Sequence, residues 1–405
     1  MDQQEHENEF FNLINDVYIN LFKYLDGLDI KKMRLSSRKM NRLVDTYIRR
    51  HRQTFLRFPP RIYNIENIEE NIVNACRSFF GKQPNECDMT LNCKIFYKEE
   101  KTLVTTNPPM KALSAVSKSG IKISLNIMFD FRYDDRSVNL WPSYISTLEE
   151  IVKYLPHTEY LHLDFSSEIM EEWGNDVINI LSQMTQLKSL SICKMHVDGT
   201  ELTSCLSKMT DLSSFSISEI KIDNLDSIQL GHALQIVVPR LSKLKLSSSF
   251  VGFQSIIEVL PLIRNLLSNL TSLDLSNNYI DRDKLQYNIV YDILGHVSNL
   301  RTLNLSHNEI GMYIEGVPHP INQLIQSLKN LEELNLAHNG IDGNCIHELS
   351  PTLQILPLLS NLDLSSNKLD YDAIKFVTEY LPMVKVLDVT DNNPNDEQGG
   401  MESLD

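Results

Sequence analysis

"LTSLDLSNNYI", Leu270 to Ile280, decides how this chain folds. In Leu273-Asp274-Leu275 the two leucines point to one side of a short strand, and the residue between them points to the other. Asn278 follows the strand, where its side-chain amide can satisfy turn backbone groups. The same form returns at "LRTLNLSHNEI" (Leu300 to Ile310), "LEELNLAHNGI" (Leu331 to Ile341) and "LSNLDLSSNKL" (Leu359 to Leu369). The shared pattern is LxxLxLxxNx[IL].

Degenerate copies extend it upstream at "LSKLKLSSSFV", "LSSFSISEIKI", "LKSLSICKMHV" and "TEYLHLDFSSEI", and downstream at "VKVLDVTDNNP". The second apolar position falls at Leu161, Leu190, Phe215, Leu244, Leu273, Leu303, Leu334, Leu362 and Leu387, in steps of 29, 25, 29, 29, 30, 31, 28 and 25 residues. Repeats on one period build a solenoid. Helical patterns lie between the strands: "FQSIIEVLPLIRNLL" from Phe253, "KLQYNIVYDILGHV" from Lys284, "PINQLIQSL" from Pro320 and "DAIKFVTEYL" from Asp372. A repeat this long holds a strand and a full helix. It resembles the ribonuclease-inhibitor type of leucine-rich repeat, which implies an α/β horseshoe with parallel concave strands and convex helices. The asparagines Asn278, Asn308, Asn339, Asn367 and Asn392 would stack as a ladder.

"IKISLNIMFDF" (Ile121 to Phe131) reads as a strand and "TLEEIVKYL" (Thr147 to Leu155) as a helix, together an irregular capping unit. The repeats are therefore placed at 121–394, with a disordered acidic tail at 395–405. Residues 51–120, which include "RFPPRIYNI" and "TTNPPMKAL", read as linker and irregular helix.

Three short helices fit Leu13 to Ile48. Asn15 is a candidate N-cap, with Asp16 in the first turn where the helix dipole favours an anion. Val17, Leu21, Phe22 and Leu25 share one face. A unit under about 50 residues has a weak core of its own, which points to completion by a partner. The stretch "LINDVYINLFKYLDGLDIKKMRLSSRKMNRLV" resembles an F-box, whose pattern runs roughly LPxEvLxxIFxyLdxxdLxxxxxVcrxw. Two positions depart from it: Ile14 stands for the usual proline and Ser36 for the usual valine. The resemblance implies a small three-helix domain over residues 1–50 that binds the Skp adaptor and, through it, a cullin. The adaptor-facing residues would be Leu13, Ile14, Val17, Leu21, Phe22, Leu25, Ile30, Met33 and Met40. A neighbouring basic run, Lys31, Lys32, Arg34, Arg38, Lys39 and Arg42, is either a solvated face or an aid to meeting an acidic adaptor.

The net charge of −15, from 38 basic and 53 acidic residues, argues against general nucleic-acid binding. No apolar run approaches the ~20 residues that span a bilayer. The first residues, "MDQQEHENEF", do not read as a secretory signal. The six cysteines show no CxxC or zinc spacing and read as reduced thiols in a cytoplasmic protein.

No hydrolase, zinc-protease or phosphate-loop motif appears, so no catalytic residue, cofactor or metal site is assigned. His307 and His338 occupy one position in adjacent repeats and would stack roughly 5 Å apart, either as solvent-facing residues or as a metal pair. The concave stripe offers His162, Lys245, Asp274, Asn304, Glu333, Asn335 and Asp363 to a target protein. Its C-terminal half is acidic or amide-bearing, which suits a basic ligand or is simply ordinary for the repeat. The resulting expectation is a ubiquitin-ligase substrate receptor. Against it stand a leucine-rich-repeat GTPase-activating protein and a plain scaffold or inhibitor whose N-terminal helices only cap the solenoid. Eukaryotic F-box proteins of this class carry Cys-type repeats near 26 residues. Asn-type repeats near 29 suggest a separate fusion, such as a bacterial effector acting in a host cytosol.

Overall fold

The computed structural model describes residues 53–56, 90–97 and 122–129, parts of 141–153, and 158–392 apart from 170, 220–223, 248–253, 281–286 and 312–320. The chain divides into two compact units between Ser167 and Glu168.

In the first unit, strands β1 (Gln53–Leu56), β2 (Thr90–Tyr97), β3 (Lys122–Phe129) and most of β4 (Thr158–Ile169) pair in parallel and in sequence order. β3 is the strand expected from "IKISLNIMFDF". β1 and β2 fall inside 51–120, where the sequence reading placed linker and irregular helix. "QTFL" and "TLNCKIFY" carry no LxxLxL signature, so only pairing with a neighbouring strand reveals them. On β4, Leu161, Leu163 and Phe165 are buried, which matches the alternation of a repeat strand.

The second unit is an open α/β solenoid. Its strands are β5 (Ser189–Met195), β6 (Ser214–Ser218), β7 (Lys243–Ser247), β8 (Ser272–Asp274), β9 (Thr302–Asn304), β10 (Glu333–Asn335), β11 (Asn361–Asp363) and β12 (Val386–Asp388). Each pairs in parallel with the next, and the LxL positions are in register throughout. The helices α1 (Glu171–Leu181), α2 (Gly199–Lys208), α3 (Asn224–Val237), α4 (Gln254–Ile263), α5 (Tyr287–Leu294), α6 (Ile321–Ser327), α7 (Gly343–Gln354) and α8 (Tyr371–Tyr380) alternate with them.

Strand leucines and helix residues meet in one continuous core. Leu273, Leu275, Leu303, Leu305, Leu334, Leu336, Leu362 and Leu364 are at most 2% exposed, and Val259, Val290, Leu324 and Leu349 close the layer from the helix side. Each such side chain contributes about 1.5–3 kcal/mol on burial. Aspartates start several helices: Asp342 Oδ1 accepts the N–H of Cys345 at 2.8 Å, and Asp370 Oδ1 that of Ala373 at 2.7 Å.

The asparagine ladder forms as the spacing implied. Asn308 Oδ1 accepts the N–H of Asn278 at 2.9 Å, Asn339 Oδ1 that of Asn308 at 2.7 Å, and Asn367 Oδ1 that of Asn339 at 2.9 Å. Each amide nitrogen donates backward to the previous repeat: Asn308 Nδ2 to Leu275 O at 2.9 Å, Asn339 Nδ2 to Leu305 O at 2.9 Å, Asn367 Nδ2 to Leu336 O at 3.0 Å. A second ladder runs along the exposed edge, where Asn269, Asn299 and Asn330 donate to Pro239 O, Ser268 O and Ser298 O at 2.6, 2.8 and 2.9 Å. The two ladders satisfy the turns that helix and sheet leave unpaired.

Candidate functional site

On each short strand, the middle residue of LxL and the residue two before it share the face opposite the leucines. Strand register turns these into two rows. One row is Ser272, Thr302, Glu333, Asn361 and Val386; the other is Asp274, Asn304, Asn335, Asp363 and Asp388.

The second row has a structural duty. The Oδ1 of each accepts the N–H two residues on: Ser276, Ser306, Ala337, Ser365 and Thr390, at 2.9 to 3.0 Å. This is the turn a short Asx side chain forms with its own backbone, and it explains why only Asp and Asn occupy this row from β8 onward. The remaining side-chain atoms project from the sheet. Lys245 Nζ meets Asp274 Oδ2 at 2.9 Å. Asn335 Nδ2 donates to Asp363 Oδ2 at 2.9 Å, and Asn361 Nδ2 to Glu333 Oε1 at 3.3 Å. The N–H and hydroxyl of Thr390 hold the Asp388 carboxyl below the ordinary carboxylate range, so it is ionised at neutral pH.

A groove of about 330 Å³ runs across β9 to β12 on this face. It gathers Asn304, Glu333, Asn335 and Asp363, four of the residues the sequence singled out. It adds Thr302, Asn361 and Val386, together with Asp388, the middle residue of the last repeat strand, which the sequence also placed on the concave stripe. The first three were legible in principle, since a residue two before the middle of LxL shares its face. Lys245 and Asp274 are paired to each other on β7 and β8. His162 lies on β4 of the other unit and is half-buried. The nine adaptor-facing positions, Leu13, Ile14, Val17, Leu21, Phe22, Leu25, Ile30, Met33 and Met40, lie outside the described residues, as do the three-helix unit and the acidic tail.

His307 and His338 stack as the repeat spacing implied, with ring centroids 4.1 Å apart and planes 13° apart. Both have positive φ, 58° and 54°, like Asn277 at 59° in the preceding repeat. His and Asn are among the residues that tolerate this region. The lone pairs of nearly parallel rings run side by side and do not converge on one cation. Among the described residues no group of three or more His, Cys, Asp or Glu could hold a metal ion, and no helix is long and apolar enough to cross a membrane.

Comparison with known families places an F-box domain match on residues 10–52. Leucine-rich-repeat matches cover residues 269–288, 296–311 and 327–344. No curated protein matches the chain. Among solved structures, it is similar to the leucine-rich repeat-containing protein LegL7 of Legionella pneumophila, with 16% identity, a TM-score of 0.45, and coverage of 73% of this chain and 89% of that one. It is also similar to an internalin (inlF) of Listeria monocytogenes, with 19% identity, a TM-score of 0.38, and coverage of 76% and 71%.

Proposed function

This chain carries an F-box domain near its start and leucine-rich repeats after it, and from that premise we propose that it is the substrate-recognition subunit of an Skp–cullin–F-box ubiquitin ligase. The observation that carries the reading is the F-box match at residues 10–52 joined to a repeat array with a groove on its exposed sheet face. F-box domains and leucine-rich repeats are both protein-interaction modules. The N-terminal module binds the Skp adaptor through Leu13, Ile14, Val17, Leu21, Phe22, Leu25, Ile30, Met33 and Met40. The repeat face holds the target, and the transfer of ubiquitin belongs to other subunits.

Burying four or five large apolar side chains against the adaptor yields about 1.5–3 kcal/mol each before the costs of association. The protein works in the cytoplasm. Its Asn-type repeats support an origin by separate fusion, as in a bacterial effector that borrows a host ligase.

The test is co-purification with a recombinant Skp adaptor, read on wild type and on the combined Leu13→Ala, Leu21→Ala, Phe22→Ala variant. The wild type forms a stable complex and the variant does not, while its repeat unit keeps the wild-type circular dichroism. Failure of the wild type to bind, or undiminished binding by the variant, overturns the proposal.

A further inference from the structure

We propose that the β9–β12 face binds an extended protein segment carrying two or three Lys or Arg side chains within a few residues, set against Glu333, Asp363 and Asp388. This deepens the reading of the repeat surface as the target-binding face and rests on it.

The sheet face is divided by charge. On β5 to β7 it presents Ser189, Ser191, Ser214, Ser216, Lys243 and Lys245, with no carboxylate. On β8 to β12 the two face rows hold four carboxylates and no cation among the described residues. The seam is the Lys245–Asp274 ion pair, which neutralises one of the four. The other three lie in the groove, on consecutive strands β10, β11 and β12. The cation that a partner would supply is therefore missing on one side of the seam and present on the other.

Geometry sets the form of the partner. Neighbouring strands lie about 4.8 Å apart, so Glu333 and Asp388 are separated by roughly 10 Å across the sheet. An extended chain rises about 3.3 Å per residue and presents alternate side chains to one face. A segment running across the strands thus offers successive cations about 7 Å apart, within reach of neighbouring carboxylates for flexible Lys or Arg stems. Val386, 58% exposed at the groove's end, gives those aliphatic stems an apolar surface. Asn304, Asn335 and Asn361 each use part of the amide within the sheet, and the second N–H and second lone pair that each keeps suit peptide backbone.

The experiment is fluorescence anisotropy on the full chain with a labelled ten-residue peptide of alternating valine and lysine. Its counterparts carry glutamine or glutamate in place of lysine. The lysine peptide binds about tenfold or more tighter than the glutamine peptide and weakens as salt rises. The combined Glu333→Gln, Asp363→Asn, Asp388→Asn variant loses about tenfold or more of that binding. It keeps the fold, because Asn304 and Asn335 already make the same turn. Removing three charges elsewhere, with Asp211→Asn, Asp372→Asn and Glu379→Gln, leaves binding unchanged. Equal binding of the lysine and glutamine peptides, or equal loss in both variants, overturns the inference. Both outcomes are read apart from adaptor co-purification. A chain that binds adaptor but not the lysine peptide sinks this inference alone.

Discussion

The Asn308 side chain accepts the backbone N–H of Asn278 at 2.9 Å while its backbone N–H goes to Asn339 Oδ1 at 2.7 Å, so one buried residue ties three successive repeats together. Its amide nitrogen also donates to Leu275 O and Leu305 O at 2.9 and 3.0 Å. Asn308→Ala leaves the buried N–H groups of Asn278 and Ile280 without their acceptor and takes one of two side-chain amide donors from Leu275 O and from Leu305 O. The expected loss is about 3 kcal/mol or more, since each stranded buried group costs about 1–3 kcal/mol. Asn392→Ala, at the half-buried end of the ladder, costs less. Urea unfolding followed by circular dichroism ranks the two, and equal losses would count against the ladder as a cooperative element.

Gly311 and Gly340 are both glycines in adjacent turns, but for different reasons. A Cβ on Gly311 would sit 2.3 Å from the carbonyl carbon and oxygen of Gly340, which are backbone atoms that cannot rotate away. A Cβ on Gly340 meets nothing closer than 3.7 Å, and only its φ of +70° resists substitution. Gly311→Ala is therefore expected to destabilise by about 1–3 kcal/mol through steric displacement. Gly340→Ala costs about 1 kcal/mol through left-handed backbone strain. Thermal melts of the two variants give this order or refute it.

Burial and the neighbouring His338 hold the His307 imidazole below its ordinary value. The unfolded chain therefore takes up this proton more readily than the folded one. The contribution to stability is full above the ordinary histidine value near 6.5 and is lost as pH falls through the folded value. His307→Asn keeps the left-handed turn, as Asn277 shows at φ 59°. It is expected to flatten the decline in melting temperature between pH 7 and 5, and NMR titration of His307 should place its midpoint below that of a histidine peptide. A midpoint at or above the peptide value would contradict the geometry.

Asp198 caps α2, its Oδ1 accepting the N–H of Thr200 at 2.7 Å and of Glu201 at 3.1 Å, with the Thr200 hydroxyl on the same oxygen. The hydroxyl bond and the two backbone bonds lower its pKa against the opposing effect of burial. A carboxylate held below its ordinary value stabilises the fold above that value, and the contribution disappears as pH falls through the folded one. Asp198→Ala should cost about 1 kcal/mol at pH 7. The difference from wild type should shrink as pH falls below the ordinary carboxylate value of 3.8, and a pH-independent difference would rule out the carboxylate as the cap.

The repeat unit was legible because its signals are local. LxL parity assigns every strand leucine to the core, and those leucines are at most 2% exposed from β5 to β11. The asparagine ladder and the His307–His338 stack followed from position within the period. The outer ladder of Asn269, Asn299 and Asn330 was overlooked, although it recurs at the same period, because each residue precedes the LxxLxL signature. β1 and β2 were hidden for a different reason. Their segments lack the repeat spacing, and a strand of four or eight residues in an irregular stretch is defined by its neighbour.

The site was only half legible. Strand parity put Asn304, Glu333, Asn335 and Asp363 on one face. It could not say that Asp363 and Asp388 each spend one oxygen on their own turn, or that Lys245 is already taken by Asp274. The sequence by itself determined the period, the parallel strands, the core and the face each side chain takes, because these follow from backbone geometry within a few residues. Tertiary structure alone decided which side chains across roughly thirty residues of sequence are paired and which charges are left open to a partner. Those outcomes depend on the register in which one repeat stacks on the next.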